Sequence, residues 1–268
     1  MSPDGLFEPD GSDVFVSTDA AVGPWDSRLV HGAAVSALMV GQLTSADTNP
    51  ARVTVEILAP VPVGRLTLSV HDLGGGARVQ RHRAELASNG RLVATATSVA
   101  VRQTALELPE KATQHESPFD PHCAPNPLTL NRAAAETIGW ESFDSLAVLL
   151  QFQRVEGDRR PHMWVGLAVP VVAGTPVRPV EIAAVAADYA QQAVNKQLPY
   201  DAWSFRNADL TMNLARTPVG SWIGARCEAV VAPAGAGFNA ADLFDGHGRV
   251  GRSAATVVVE PRPDPNKD

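Results

Sequence analysis

The sequence predicts an α+β protein built from two tandem antiparallel sheets, each wrapped around a central helix. Three observations carry this reading. First, the chain repeats itself. "AAVSALMVGQ" (Ala33 to Gln42) aligns without a gap with "AAVAADYAQQ" (Ala183 to Gln192). "LAPVPVG" (Leu58 to Gly64) aligns with "LARTPVG" (Leu214 to Gly220), and "NGRLVATATSVAV" (Asn89 to Val101) with "HGRVGRSAATVVV" (His247 to Val259). The pairs keep their order, and their offset grows only from 150 to 158 positions. Second, each copy opens with an alanine-rich segment that is apolar on most sides, which suits a helix buried all round. Third, strand-like segments with glycine and asparagine turns follow each helix, the pattern of antiparallel hairpins.

In copy one the helix is expected over "HGAAVSALMVGQLTSA". The strands follow as "RVTVEIL", "RLTLSVHDL", "RVQRHRAELA" and "RLVATATSVAV". In copy two the strands "LAVLLQFQRV" and "MWVGLAV" precede a helix over "EIAAVAADYAQQAVNKQ". After it come "ADLTMNLA", "SWIGARCEAVVA", "FNAADLF" and "RVGRSAATVVV". Between the copies lies "ELPEKATQHESPFDPHCAPNPL", rich in proline and without period. This divides the chain into an N-terminal unit over residues 1–104, a linker over 105–130 and a C-terminal unit over 131–268. A sheet with one face to bury and a helix apolar all round satisfy each other when the sheet wraps the helix.

Composition narrows the function. At 268 residues the chain can bury a real core. A net charge of −7 argues against nucleic acid as a partner. Cys123 and Cys227 form no disulfide framework and no four-ligand metal site, so neither a metal nor a cofactor is expected. The polar start "MSPDGLFEPDGSD" is unlike a signal peptide, and no apolar run reaches the roughly 20 residues of a membrane span. A cytoplasmic protein with no membrane partner is expected.

One acid stands out against this background. From Ile182 to Val194 the only charged side chain is Asp188, and the repeat aligns it with Leu38. A carboxylate among alanine and valine is costly without partners, and such surroundings raise its proton affinity toward that of a general base. The competing reading, an aspartate on an exposed helix face, does not account for the leucine in the duplicate.

Three stretches resemble the acyl-CoA thioesterase II group of the hotdog superfamily, in its double hotdog form. "RLVHGAAVSALM" is placed like that group's glycine-containing helix start. "AAVAADYAQQ" is placed where the group carries its aspartate, and "FRNADLTMNLARTPVGSW" resembles the strand that follows. The resemblance runs from about Trp25 to Val259, excluding the linker. It implies hydrolysis of an acyl-CoA thioester by a water that an aspartate, an Asn or Thr, and a glutamine orient and activate. Asp188 matches the aspartate and Asn207 the second member. The glutamine is expected near "RSAATVV", where this chain has Ala255 beside Thr256. Gln191 or Gln192 is then the alternative holder of the water, Gln192 lying one α-helical turn beyond Asp188.

Asp209 and Thr211 lie two and four residues beyond Asn207, so in a regular strand they share its face. Thr211 is the neutral alternative to Asn207 as second polar group. His31 and Gly32 open the first helix, where free N–H groups suit a carbonyl oxygen or oxyanion, and His31 adds a side-chain donor. "GGGARVQRHR" reads as a hairpin turn and a solvated strand face rather than a phosphate cradle. Trp203 and Trp222 read as core rather than as an acyl channel.

The favoured function is therefore an acyl-CoA thioesterase. The missing glutamine keeps a non-hydrolytic acyl-CoA-binding protein as the second reading. A hotdog hydratase or dehydratase ranks third, because Asp188 plus five is Ala193 rather than a histidine. No G-x-S-x-G elbow supports a serine hydrolase. Open sheet edges, and the resemblance, imply a homo-oligomer, a dimer or a trimer.

Overall fold

The computed structural model describes residues 4–23, 26–45, 48–109, 112 and 148–262. Most of the expected linker, including Cys123, lies outside these residues, as do residues 131–147 of the expected C-terminal unit. The described strands join into one 13-stranded antiparallel sheet. Its N-terminal half contains β1 (Phe7–Pro9), β2 (Val14–Ser17), β3 (Thr48–Ile57), β4 (Arg65–Gly75), β5 (Val79–Ser88) and β6 (Arg91–Arg102). Its C-terminal half contains β7 (Val148–Val155), β8 (Asp158–Leu167), β9 (Trp203–Asn207), β10 (Asp209–Leu214), β11 (Ile223–Val231), β12 (Ala236–Asp245) and β13 (Gly248–Pro261).

The spatial order is β1-β2-β4-β5-β6-β3 and then β10-β13-β12-β11-β8-β7. The second half is the first read backwards, so the sequence repeat is a structural one. The halves meet where β3 pairs with β10, Thr54 opposite Thr211. The two sheets expected from sequence are thus joined into one. Strands β1, β2 and β9 carry too little alternation to stand out in the sequence.

Helices α1 (Gly32–Gln42) and α2 (Pro179–Asp188) are buried from Ala33 to Gly41 and from Val180 to Asp188. Alanine makes this possible, since it loses no side-chain entropy and lets backbones approach. Both helices are shorter than expected. His31 caps α1, its Nδ1 accepting from the Ala33 N–H at 2.9 Å. Pro179 opens α2, and the Arg178 N–H donates to Glu181 Oε2 at 3.2 Å. After Asp188 the chain tightens into a 3₁₀ turn, Tyr189–Gln191, before one last turn, α3 (Gln192–Asn195). The two long helices run antiparallel. The start of α1 meets Asp188 at the end of α2, and Gly41 near the end of α1 meets Arg178 and Glu181 at the start of α2.

The stretch "GGGARVQRHR" forms the exposed turn between β4 and β5 and the beginning of β5. Trp222 packs with Trp164 and Phe244 in a core cluster, and Trp203 lies half-buried beside Phe205, Val257 and Val259. Cys227 is buried, and burial pushes its thiol up to about 12, so it is unreactive.

Arg216, which follows β10, donates to Asp245 Oδ1 at 2.6 Å, and the N–H groups of His247 and Val219 donate to the same carboxylate at 2.8 and 3.0 Å. Burial pushes the Asp245 carboxyl up, but these donors outweigh it and hold it below its ordinary value. Its contribution to stability is complete above the unfolded carboxylate value of about 4 and is lost as pH falls through the lower folded value. Asp245→Ala leaves two N–H groups unpaired and takes the carboxylate from the Arg216 guanidinium. It should lower unfolding free energy by about 2–4 kcal/mol in urea titration at pH 7.

Candidate functional site

A cavity of about 830 Å³ opens between the two halves. The first half supplies the loop leading into α1, the start of α1 and the segment 57–61 after β3. The second supplies the end of α2, β9 and the end of β13. Exposure sets its direction. Leu58, 52% exposed, and Val258, 39% exposed, stand at the mouth with Arg206, while His31, Val35, Asp188 and Gln191 are buried at the floor. The wall between them is apolar, with Leu29, Val30, Ile57 and Val61.

Asp188 sits on that floor, 5% exposed. Asn207 Nδ2 donates to its Oδ1 at 2.9 Å and to its backbone carbonyl at 3.1 Å. The second bond ties the amide to the backbone at the end of α2. His31 Nδ1 stands 3.7 Å from Asp188 Oδ2, beyond hydrogen-bond reach. Burial pushes the Asp188 carboxyl up, against the opposing effects of His31 and of the Asn207 hydrogen bond. The negative end of the α2 dipole acts in the same direction as burial.

Burial also pushes the His31 imidazole down, although the nearby Asp188 opposes this. Its Nδ1 accepts from a backbone N–H, so the neutral ring carries its proton on Nε2. The ring is held parallel to Tyr189, with centroids 5.6 Å apart. Gly32 borders the same floor, and a Cβ there would stand 3.4 Å from Asp188 Oδ1. The Gly32 N–H donates to no described residue. Asp188, Asn207, His31 and Gly32 therefore converge on one cavity.

Two expected residues do not converge. Thr211 bonds Thr54 across the junction of the halves, Oγ1 to Oγ1 at 3.1 Å, on the sheet face away from the helices. The reason is a bulge at Ala208. β9 pairs Asn207 with Val257, whereas β10 pairs Thr211 with Ala254, a slip of one residue along β13. One extra residue inverts the alternation, so Asn207 points inward and Asp209 and Thr211 do not. Gln192 is displaced by the 3₁₀ turn. At three residues per turn, Gln191 eclipses Asp188 and lines the cavity, while Gln192, also buried, does not.

At the expected glutamine position Ala255 faces inward and Thr256 outward. The residue paired with Ala255 across the strands is Asn239, on β12. Asn239 is fully buried, and its Nδ2 donates to Asn207 Oδ1 at 2.8 Å. Sequence reasoning missed it. The available signal was an asparagine placed among the apolar positions of a predicted strand, "FNAADLF".

Comparison with known proteins places the chain in a family. A model described as the acyl-CoA thioesterase N-terminal domain matches residues 21–102, and one described as the acyl-CoA thioesterase C-terminal domain matches residues 108–259. No curated protein matches the chain. Among solved structures, a tesB protein of Mycobacterium avium subs paratuberculosis is 15% identical with a TM-score of 0.67, over 95% of this chain and 96% of that one. A conserved protein of unknown function with hot dog fold from Alicyclobacillus acidocaldarius is 14% identical with a TM-score of 0.65, over 97% of each chain. An acyl-CoA thioesterase II, TesB2, from Mycobacterium marinum is 11% identical with a TM-score of 0.63, over 98% of this chain and 96% of that one. At these identities the structures speak to the fold alone. The two family models span most of the sequence, and the chain belongs to the acyl-CoA thioesterase II-like family.

Proposed function

We propose that the protein hydrolyses the thioester of a fatty or related acyl-CoA with a water activated by Asp188. The observation that carries this is a buried carboxylate facing an unclaimed helix-start N–H across a cavity with apolar walls. The thioester oxygen accepts from the Gly32 N–H and from His31 Nε2–H, donors that suit the developing oxyanion. Asn207 occupies Asp188 Oδ1 and leaves Oδ2 to take the proton of the attacking water. The C–S bond then breaks, and the Asp188 carboxyl returns the proton to the CoA thiolate. The products are a carboxylic acid and a thiol. Leu29, Val30 and Ile57 suit the acyl chain, and Arg206 and Arg262 at the mouth suit CoA phosphates.

The same reading treats the chain as a double hotdog, residues 1–104 and 131–268 joined by the linker 105–130. The matching strand orders of the two halves support it. Strand β7 ends the described strand order, and an edge of that kind suits assembly into dimers or trimers. A cytoplasmic location belongs to the reading, and no described helix is long and apolar enough to cross a membrane. The alanine at position 255 favours one second reading, acyl-CoA binding without turnover.

Release of free CoA thiol from a panel of acyl-CoAs distinguishes the two. Asp188→Asn should lower kcat by about 10²-fold or more at unchanged fold. Equal rates in the two proteins would remove Asp188 as the base, and tight binding without thiol release by the wild type would establish the second reading. A base works only when ionised, so kcat/KM should fall as pH drops through the raised Asp188 value. The acid limb should therefore lie above the ordinary aspartate value of 3.8. His31, held neutral, should add no step near 6.5. Gly32→Ala places a methyl over Asp188 and should cut kcat at least tenfold, about 1.4 kcal/mol of barrier, with little change in thermal midpoint.

A further inference from the structure

The Asp188 carbonyl can only accept, so it fixes which end of the Asn207 amide is nitrogen, and the Asn207 oxygen must look the other way. That oxygen meets Asn239 Nδ2 at 2.8 Å. A chain of amides therefore runs from β12 through β9 to the end of α2. Asn239 lines no part of that cavity. Among the described residues its own Oδ1 has no partner. A fully buried asparagine with an orphaned acceptor costs stability, so packing does not account for it.

We infer that Asn239 is a positioning residue that holds the Asn207 amide with its N–H toward Asp188, and that it stands in for the glutamine expected at Ala255. Asn239 and Ala255 are direct cross-strand partners whose side chains face the helices. A polar group can therefore move from β13 to β12 and still reach Asn207. This inference rests on the reading of Asp188 as the reactive carboxylate.

The groups that face Asp188 are few. His31 looks at it from the start of α1, Tyr189 follows it in the chain, and Asn207 reaches it from β9. Asp26, Arg206 and Arg262 line the same cavity. Asn239 changes none of their charges. Its effect on Asp188 passes through the Asn207 hydrogen bond, which favours the ionised carboxylate.

The test follows the Asp188 carboxyl by NMR titration and kcat by thiol release. It uses the wild type, Asn239→Leu and the swap Asn239→Ala/Ala255→Gln. Asn239→Leu, which keeps the branching and the number of side-chain heavy atoms, should raise the Asp188 midpoint by about one pH unit. It should also lower kcat about tenfold with KM within twofold. The swap should return both toward wild type. An unmoved midpoint in Asn239→Leu, or a moved one that the swap leaves uncorrected, overturns the inference. If Asn239→Leu does not fold, Asn239→Ala reads the same midpoint. The titration needs no turnover, so a protein that hydrolyses no acyl-CoA would lose the proposed function while the inference stood or fell on the midpoint alone.

Discussion

The antiparallel contact between α1 and α2 is the constraint on which the rest of the structure depends. Two helices enclosed by one curved sheet must bury every side, and both are built largely from alanine and small aliphatic residues. Their close approach brings the start of one against the end of the other. It sets a free N–H, a neutral imidazole and a carboxylate around one floor, in surroundings that strengthen every electrostatic interaction. Placed on either helix alone, Asp188 would be a costly defect.

The same contact explains why a duplicated chain has one site. Across the pseudo-symmetry Leu38 replaces Asp188, and the position aligned with His31 is Glu181. α2 also starts three residues earlier than α1 does in the aligned numbering, and the extra turn carries Arg178. Arg178 Nε donates to Glu181 Oε1 at 2.9 Å, and this ion pair covers Gly41, where the other half keeps open space. The second possible site is filled by its own ion pair, and its reacting carboxylate is gone. The pair is buried on the glutamate side and part-exposed on the arginine side.

The arginine that trails β10 lies outside the cavity and serves the sheet instead. Arg216 binds the buried Asp245, which ties the segment between β10 and β11 to the turn between β12 and β13. Its task is to hold those strands in register, and the polar groups of the cavity ride on them. Asn207 and Asn239 depend on β9, β12 and β13 keeping their mutual spacing to within the few tenths of an ångström that a hydrogen bond tolerates.

Much of this was legible in the residues. The repeat, the α+β class, the extents of the long strands and the singular Asp188 all follow from hydrophobic pattern and turn chemistry, which act over a few neighbouring positions. So does the helix start at His31 and Gly32, whereas Asn207 was a candidate only through the family resemblance. The rest was decided in three dimensions. A one-residue bulge at Ala208 sent Thr211 to the outer face, and a 3₁₀ turn exchanged Gln192 for Gln191. Both are choices of backbone register made by the competing pulls of neighbouring strands, and no local pattern encodes them. Asn239 became visible only once β12 lay beside β13, because a cross-strand pair joins residues that the sequence keeps apart. Local periodicity tells which way a side chain points within one element; only the packing of elements against each other tells what it meets.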